Sequence, residues 1–310
     1  MTAGAKARIA FGLRATSQSI AWIGIEAGLF RKHGIDMSIQ EFETGGPAVA
    51  VGLDRGDWEF GSTGSTPVAE SFLTGGDTVI LLQNSSPHVG VYVMTQPGIS
   101  RLDQLAGKNV GVLTDAYSGQ TGAITRMAVE KSGAMATYVG LGSYPNIFAA
   151  LRRGEIEAGA LPVDYRFLGQ DRFGWNSFET KGLGVPSVFA TTRKLIASNR
   201  DFAVSAVRAF VEAIHLFKTR PDVVVPLLQK LLEFDDRGAV EKLHAFYVPL
   251  FLPVPRWSTS DGLAAVRNLF ADRYPAAREL RESDICDPSV IDEVEQSGFV
   301  QALYGGDPGR

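Results

Sequence analysis

At 310 residues the chain has room for two domains of ordinary size. With 45% hydrophobic residues, 21% charged residues and a formal net charge of −4, it has a globular make-up and gives no reason to expect nucleic acid or an acidic membrane surface as a partner. No run approaches the ~18 consecutive apolar residues of a membrane span, and a single cysteine, Cys286, excludes an internal disulfide and any cysteine-cluster metal site.

The first residues, Met1 to Arg8, are basic at two positions and carry no apolar stretch ahead of the first strand. The expectation is either a cytoplasmic protein or a periplasmic one whose signal peptide was trimmed. Arg8 to Leu13 reads as a first strand. The polar turn Arg14-Ala15-Thr16-Ser17-Gln18-Ser19 then leads into a helix whose Ile20, Ile23, Ala27 and Phe30 fall on one face. Ile35 to Phe42 reads as a second strand, and Thr44-Gly45-Gly46-Pro47 as a glycine-rich turn before a helix carrying Val49, Val51 and Leu53. Trp58-Glu59-Phe60 alternates like a short strand and runs into Gly61-Ser62-Thr63-Gly64-Ser65, small residues that let the backbone approach something closely. Thr66 before Pro67 predicts an N-cap followed by proline at the first helical position. Three strand–turn–helix units thus precede residue 75. In a parallel sheet their turns emerge at one edge, the carboxyl end of the strands, where α/β ligands sit.

Val79 to Gln83 is apolar enough to be a strand buried on both faces. Gly90 to Met94 is a further extended run, and Asn109 to Leu113 begins a second α/β unit. Its strand leads through Asp115-Ala116-Tyr117-Ser118-Gly119-Gln120-Thr121 into a helix with Ile124, Met127 and Ala128. Another helix covers 147–153, and the strand Ala158 to Leu161 runs into Pro162. After Val188-Phe189-Ala190 the chain turns helical, with helices expected over 202–219, 222–232, 238–247, 260–273 and 289–296. The tail from Gly305 is expected to be disordered.

Several stretches, in order, resemble the nitrate/sulfonate/taurine and thiamine-precursor group of periplasmic solute-binding proteins. Ala21 to Asp36, with Gly28-Leu29-Phe30 and Gly34-Ile35, is similar to that group's first helix. Gly56-Asp57-Trp58-Glu59-Phe60-Gly61 with Gly64-Ser65 resembles its glycine-rich turn. Leu102 to Gly111 and Ala149 to Ala158 (AALRRGEIEA) resemble two further signatures, and 203–221 resembles the helix-then-proline that closes the pattern. The resemblance covers most of residues 9–270. It implies an α/β, two-lobe, type 2 periplasmic-binding-protein fold with a helical C-terminal portion. One lobe would be residues 1–93 plus 190–310 and the other 94–189, closing by a hinge on ligand held between them.

The ligand-binding residues expected in the first lobe are Arg14, Ser17, Gln18, Gly45, Ser65 and Thr66, with His88 in a segment between lobes. Arg14 directly follows a strand; it could pair bidentately with a carboxylate, sulfonate or phosphonate, or be an ordinary exposed turn arginine. In the second lobe Ser118, Gly119, Gln120 and Thr121 offer donors at a helix start. Tyr117 could supply an aromatic wall or lie on the surface. Pro162, Asp164 and Tyr165 follow the strand that borders the cleft in that group; Asp164 either binds an amine or caps a turn, the cap being favoured. His33, His88, His215 and His244 show no metal-ligand spacing, so no metal and no cofactor is expected.

The expected function is a binding protein that passes a small, anionic organic metabolite (sulfonate, carboxylate or pyrimidine-precursor type) to an ABC permease, as a monomer, without inserting in the membrane. The alternative is a cytoplasmic enzyme on the same fold. A cysteine-dependent desulfinase or a pyrimidine synthase with a cysteine cluster does not carry over, because Cys286 lies outside the cleft segments; a decarboxylase- or desulfinase-like reaction without cysteine stays open. The effector half of a transcription regulator would need a DNA-binding helix-turn-helix, and no such segment is expected before residue 8.

Overall fold

The strands run in chain order β1 (Ala5–Phe11), β2 (Ile35–Phe42), β3 (Phe60–Gly64), β4 (Thr78–Gln83), β5 (Val91–Thr95), β6 (Asn109–Val112), β7 (Thr137–Gly140), β8 (Ala158–Pro162), β9 (Asn176–Glu179) and β10 (Ser187–Thr192). They come from a computed structural model that describes residues 4–42, 45–85, 91–114, 116, 120–180, 186–257 and 259–306. The chain divides into two compact units. The first holds Met1–Pro87, Val185–Asp235 and His244–Arg310; the second holds His88–Gly184 and Asp236–Leu243.

The first unit is built on a five-stranded sheet of order β2-β1-β3-β10-β4. β1 runs parallel to β2 and β3, whereas β10 is antiparallel to both β3 and β4. β4 is buried along its whole length, as its unbroken apolar run requires. On one face Phe60 stacks on Phe189 at 5.2 Å, and Phe189 meets Phe210 at 5.0 Å from the long helix Arg200–Thr219. The buried side chains of that helix recur at helical spacing, through Phe202, Ala206, Phe210, Ile214 and Phe217. The other face is covered by a cluster including Val49, Leu53, Val68, Val266, Phe270 and Ile285.

Two local expectations are corrected here. The strand expected to start at Trp58 starts at Phe60 and takes in Gly61 to Gly64, which the sequence reads as a turn. Trp58 instead packs against the helix Gly46–Arg55 and donates its indole N–H to the Val49 carbonyl at 2.9 Å. The same helix explains the small residues of the strand: a Cβ on Gly61 would lie 2.4 Å from Val49 Cγ1. Secondly, Thr66 is not an N-cap. The helix Ser65–Leu73 begins one residue before it, capped by Gly64 with no side-chain bond. The helix expected after Ser19 also divides, into Ser19–Glu26 and Leu29–Lys32, because Gly28 takes a left-handed conformation (φ 74°).

The second unit carries a sheet of order β7-β6-β8-β5-β9. β6 is parallel to β7 and β8, and β5 is antiparallel to β8 and β9. The plan is that of the first sheet: three parallel strands, then an antiparallel strand, then an edge. Helix Tyr144–Arg153 is capped by Ser143, whose Oγ accepts from Asn146 N at 3.3 Å. It packs so closely that a Cβ on Gly159 would lie 2.6 Å from Ile147 Cγ2. Residues 236–243 join this unit through ion pairs of Asp236 with Arg172 (2.9 Å) and Lys242 with Asp171 (2.5 Å). Among the described residues no helix is long and apolar enough to cross a membrane.

Candidate functional site

The carboxyl edge of the first sheet is assembled from five segments that hydrogen-bond one another. After β1, Gly12 N donates to Ser62 O (2.8 Å), and the Gly12 carbonyl accepts from Gly45 N (3.1 Å). Gly45 sits at φ 82°, ψ 150°, a region open to glycine almost alone, and so turns the chain into the helix Gly46–Arg55. Gln18 folds its side chain back, Oε1 accepting from Leu13 N at 3.1 Å. Ser62 Oγ donates to the Gln18 carbonyl (3.4 Å) and accepts from Asn84 Nδ2 (3.0 Å). Two consecutive carbonyls at the start of β10 hold the rest: Pro186 O accepts from Ser65 N (3.0 Å) and Ser187 O from Asn84 N (2.7 Å). Ser187 Oγ in turn donates to Ser17 Oγ at 3.3 Å.

This edge is polar yet sealed. Ser19 and Ser65 are 0% exposed, Asn84 is 1% exposed, and Gln18, Ser62 and Thr66 are buried beside them. Three buried oxygens here, Ser19 Oγ, Ser65 Oγ and Asn84 Oδ1, have no hydrogen-bond partner among the described residues. Leaving such a group unsatisfied costs about 1–3 kcal/mol each, so an exogenous partner is expected to supply the missing bonds. The helices that start at this edge, Gly46–Arg55 and Ser65–Leu73, carry no acidic residue in their first turns. Their positive dipole ends are therefore not offset by a carboxylate in their own first turns.

Of the residues expected from sequence, Ser17, Gln18, Gly45, Ser65 and Thr66 lie on this edge. Arg14 begins at the same edge, but its guanidinium reaches the C-terminal end of the helix Pro221–Leu232. There Nη1 donates to Leu231 O (3.2 Å) and pairs with Glu233 at 2.5 Å. Glu233 ends that helix in a left-handed conformation (φ 57°), so Arg14 serves as a cation at a helix C-terminus. Its side chain is 29% exposed against 74% for Glu233.

The second unit has its own edge. Thr121 Oγ1 lies 3.4 Å from the Tyr144 hydroxyl, at the starts of the helices Gln120–Lys131 and Tyr144–Arg153. Burial, with the nearby charge of Asp164 adding to it, pushes the Tyr144 phenol up to about 12, so it stays protonated and able to donate. Pro162 ends β8 opposite Val91. Asp164 is buried as the first residue of the helix Asp164–Phe173, with Val163 at the cap position, and Tyr165 packs its ring 5.1 Å from Phe148. Thr125 Oγ1 is buried without a hydrogen-bond partner among the described residues. His88, Tyr117, Ser118, Gly119 and the side chain of Gln120 lie outside the described residues.

Sequence reasoning missed Ser19, Ser62, Asn84 and Ser187 in the first unit, and Thr125 and Tyr144 in the second. Asn84-Ser85 had a readable signal: it follows a fully apolar strand just as Ser65-Thr66 follows β3. Ser187 had none, because its strand arrives from the far side of the chain.

Among the described residues no three His, Cys, Asp or Glu side chains are grouped to hold a metal. His33 bonds Glu212 (2.8 Å), His244 bonds the Phe217 carbonyl (2.8 Å), and His215 sits edge-on to Tyr304. Cys286 is buried where it bridges Ile80, and burial pushes its thiol up to about 12. Alkylation of native Cys286 by iodoacetamide at neutral pH is therefore expected to be slow and to accelerate sharply in denaturant. Rapid labelling of the folded protein would contradict this placement.

The model of a family described as NMT1/THI5 like matches residues 17–223. The chain belongs to the NMT1/THI5-like family. A Brucella abortus protein described as a candidate binding protein is 28% identical over 228 residues, covering 70% of this chain and 68% of its own length. The alkanesulfonate-binding protein SsuA from Xanthomonas axonopodis pv. citri, solved bound to MOPS, superposes with a TM-score of 0.69 at 18% identity, over 91% of this chain and 96% of that one. The desulfurization enzyme DSZB gives a TM-score of 0.69 at 15% identity, over 94% and 99%. Likenesses at this identity carry the fold: this NMT1/THI5-like chain has the type 2 periplasmic-binding-protein fold, and the shared strand plan of its two sheets is that fold's core.

Proposed function

We propose that this NMT1/THI5-like protein captures a small, anionic organic solute of sulfonate, carboxylate or pyrimidine-precursor type at the polar edge of its first sheet. It would hand the solute to an ABC permease from an extracytoplasmic compartment. The observation that carries the reading is the pair of buried hydroxyls, Ser19 and Ser65, without a hydrogen-bond partner among the described residues, at a sheet edge whose two helices bear no acidic residue in their first turns. Such an edge suits a ligand rich in acceptors, which takes hydroxyl and backbone donors together. The family and the alkanesulfonate-binding neighbour support it. A cysteine-independent enzyme is the second reading, favoured only by the likeness to the desulfurization enzyme; a buried Cys286 thiol supplies no nucleophile for it.

In this reading Arg14 leaves its exposed partner for the acid group of the solute. A pair with so exposed a carboxylate is worth little, roughly 0–1 kcal/mol, and its exchange costs correspondingly little. A thermal-shift panel of sulfonates, carboxylates and pyrimidine precursors identifies the tightest binder. With that compound, calorimetry on Arg14→Ala is expected to show about tenfold weaker binding, while Glu233→Gln binds equally or better. If Arg14→Ala keeps its affinity and only loses stability, the arginine is a helix-end clamp and has no part in the site.

A further inference from the structure

The anionic reading leaves one atom unexplained, and its chemistry is the opposite of an anion's. Asn84 is 1% exposed. Its Nδ2 donates to Ser62 Oγ at 3.0 Å, and Ser62 Oγ in turn donates to the Gln18 carbonyl at 3.4 Å. The backbone N–H of Asn84 is also tied, to Ser187 O. What remains is Oδ1, an acceptor with no donor among the described residues. An anion's oxygens cannot bond it; they would repel it. Ser19 Oγ and Ser65 Oγ, also buried and unpartnered, can turn their protons either way and so fit a ligand group of either polarity. Ser65 and Asn84 hang on adjacent carbonyls of β10, and Ser19 follows Gln18, so the three belong to one hydrogen-bonded cluster.

We propose that the solute must itself donate a hydrogen bond. It is an anion that also carries an N–H or O–H group, received by Asn84 Oδ1 with Ser19 and Ser65 beside it, and not a plain alkyl acid. This rests on the anionic-solute reading above and narrows it. The physical ground is that a site with a buried acceptor rejects an analogue lacking the matching donor far more strongly than an apolar pocket rejects an extra methylene.

The test uses matched pairs of equal charge that differ by one hydroxyl donor: 2-hydroxyethanesulfonate against ethanesulfonate, 3-hydroxypropionate against propionate, and glycolate against acetate. Binding to the full chain is measured by calorimetry, and the affinity ratio within each pair is the readout. The donor-bearing member is expected to bind about tenfold or more tightly in at least one pair. That ratio should fall towards one in Asn84→Ala and persist in Asn84→Asp, which keeps an acceptor at the same place. Because each ratio is taken within one protein, any loss of folded fraction in a variant cancels. Equal affinities within every pair, or a ratio unchanged in Asn84→Ala, would overturn the inference and leave the anionic reading standing. No binding by any of the six at millimolar concentration would overturn both.

Discussion

Phe189→Ala should cost the first unit about 3–5 kcal/mol, the range for emptying a large aromatic from a closed core. Phe189 is fully buried at the middle of the sheet, stacked on Phe60 and touching Phe210 of the longest helix. No exposed face lets the surroundings collapse into the space, since β10 is flanked by β3 on one side and β4 on the other. The loss should lower the urea midpoint by about 1–2 M, followed through Trp22, Trp58 and Trp257, which all belong to this unit. A midpoint within experimental error of the parent would mean that the aromatic stack does not hold the sheet to the helix.

The second large effect runs in opposite directions in two measurements. Ser65→Ala removes a fully buried hydroxyl that bonds nothing among the described residues, so the ligand-free protein should melt at the same temperature or higher. With the tightest compound from the acid panel, affinity should fall about tenfold, because the bond which that hydroxyl makes only to solute is gone. The combination distinguishes a binding group from a structural one. A core hydroxyl with a hidden structural role would destabilise the free protein when lost, and a spectator would leave affinity alone.

Much of the fold is legible in local patterns. β2 follows from its alternation of apolar and polar residues after Gly34, β4 from its apolar run, and the helix Arg200–Thr219 from its periodic apolar stripe. The short strands β7 and β9 give no such signal: their residues are half-buried, and each is an outer strand of its sheet. The helix Asp164–Phe173 is hidden for a related reason, since its apolar residues do not gather on one face. At the candidate site the turn residues Ser17, Gln18, Gly45 and Ser65 stand out because small polar residues after a strand have few other uses. Asn84 and Ser187 acquire their meaning only when β10 is inserted between β3 and β4, a pairing between residues far apart in the chain. Arg14 shows the converse. Its position after β1 marks it for a ligand, but a long side chain can reach past its own edge, and Glu233 and Leu231 claim it from a distant helix.

The insertion of β10 also sets an order of events in biogenesis. Ser187 pairs with Gly64, so the first sheet stays split into β1–β3 and a lone β4 until residues beyond 192 have been made. All strands of the second sheet lie between Val91 and Glu179 and are already present by then. A chain emerging from the ribosome can thus complete its second sheet while its N-terminal part is still open along two strand edges. Nascent chains arrested before β10 should be protease-resistant over the second sheet and sensitive over β1 to β4.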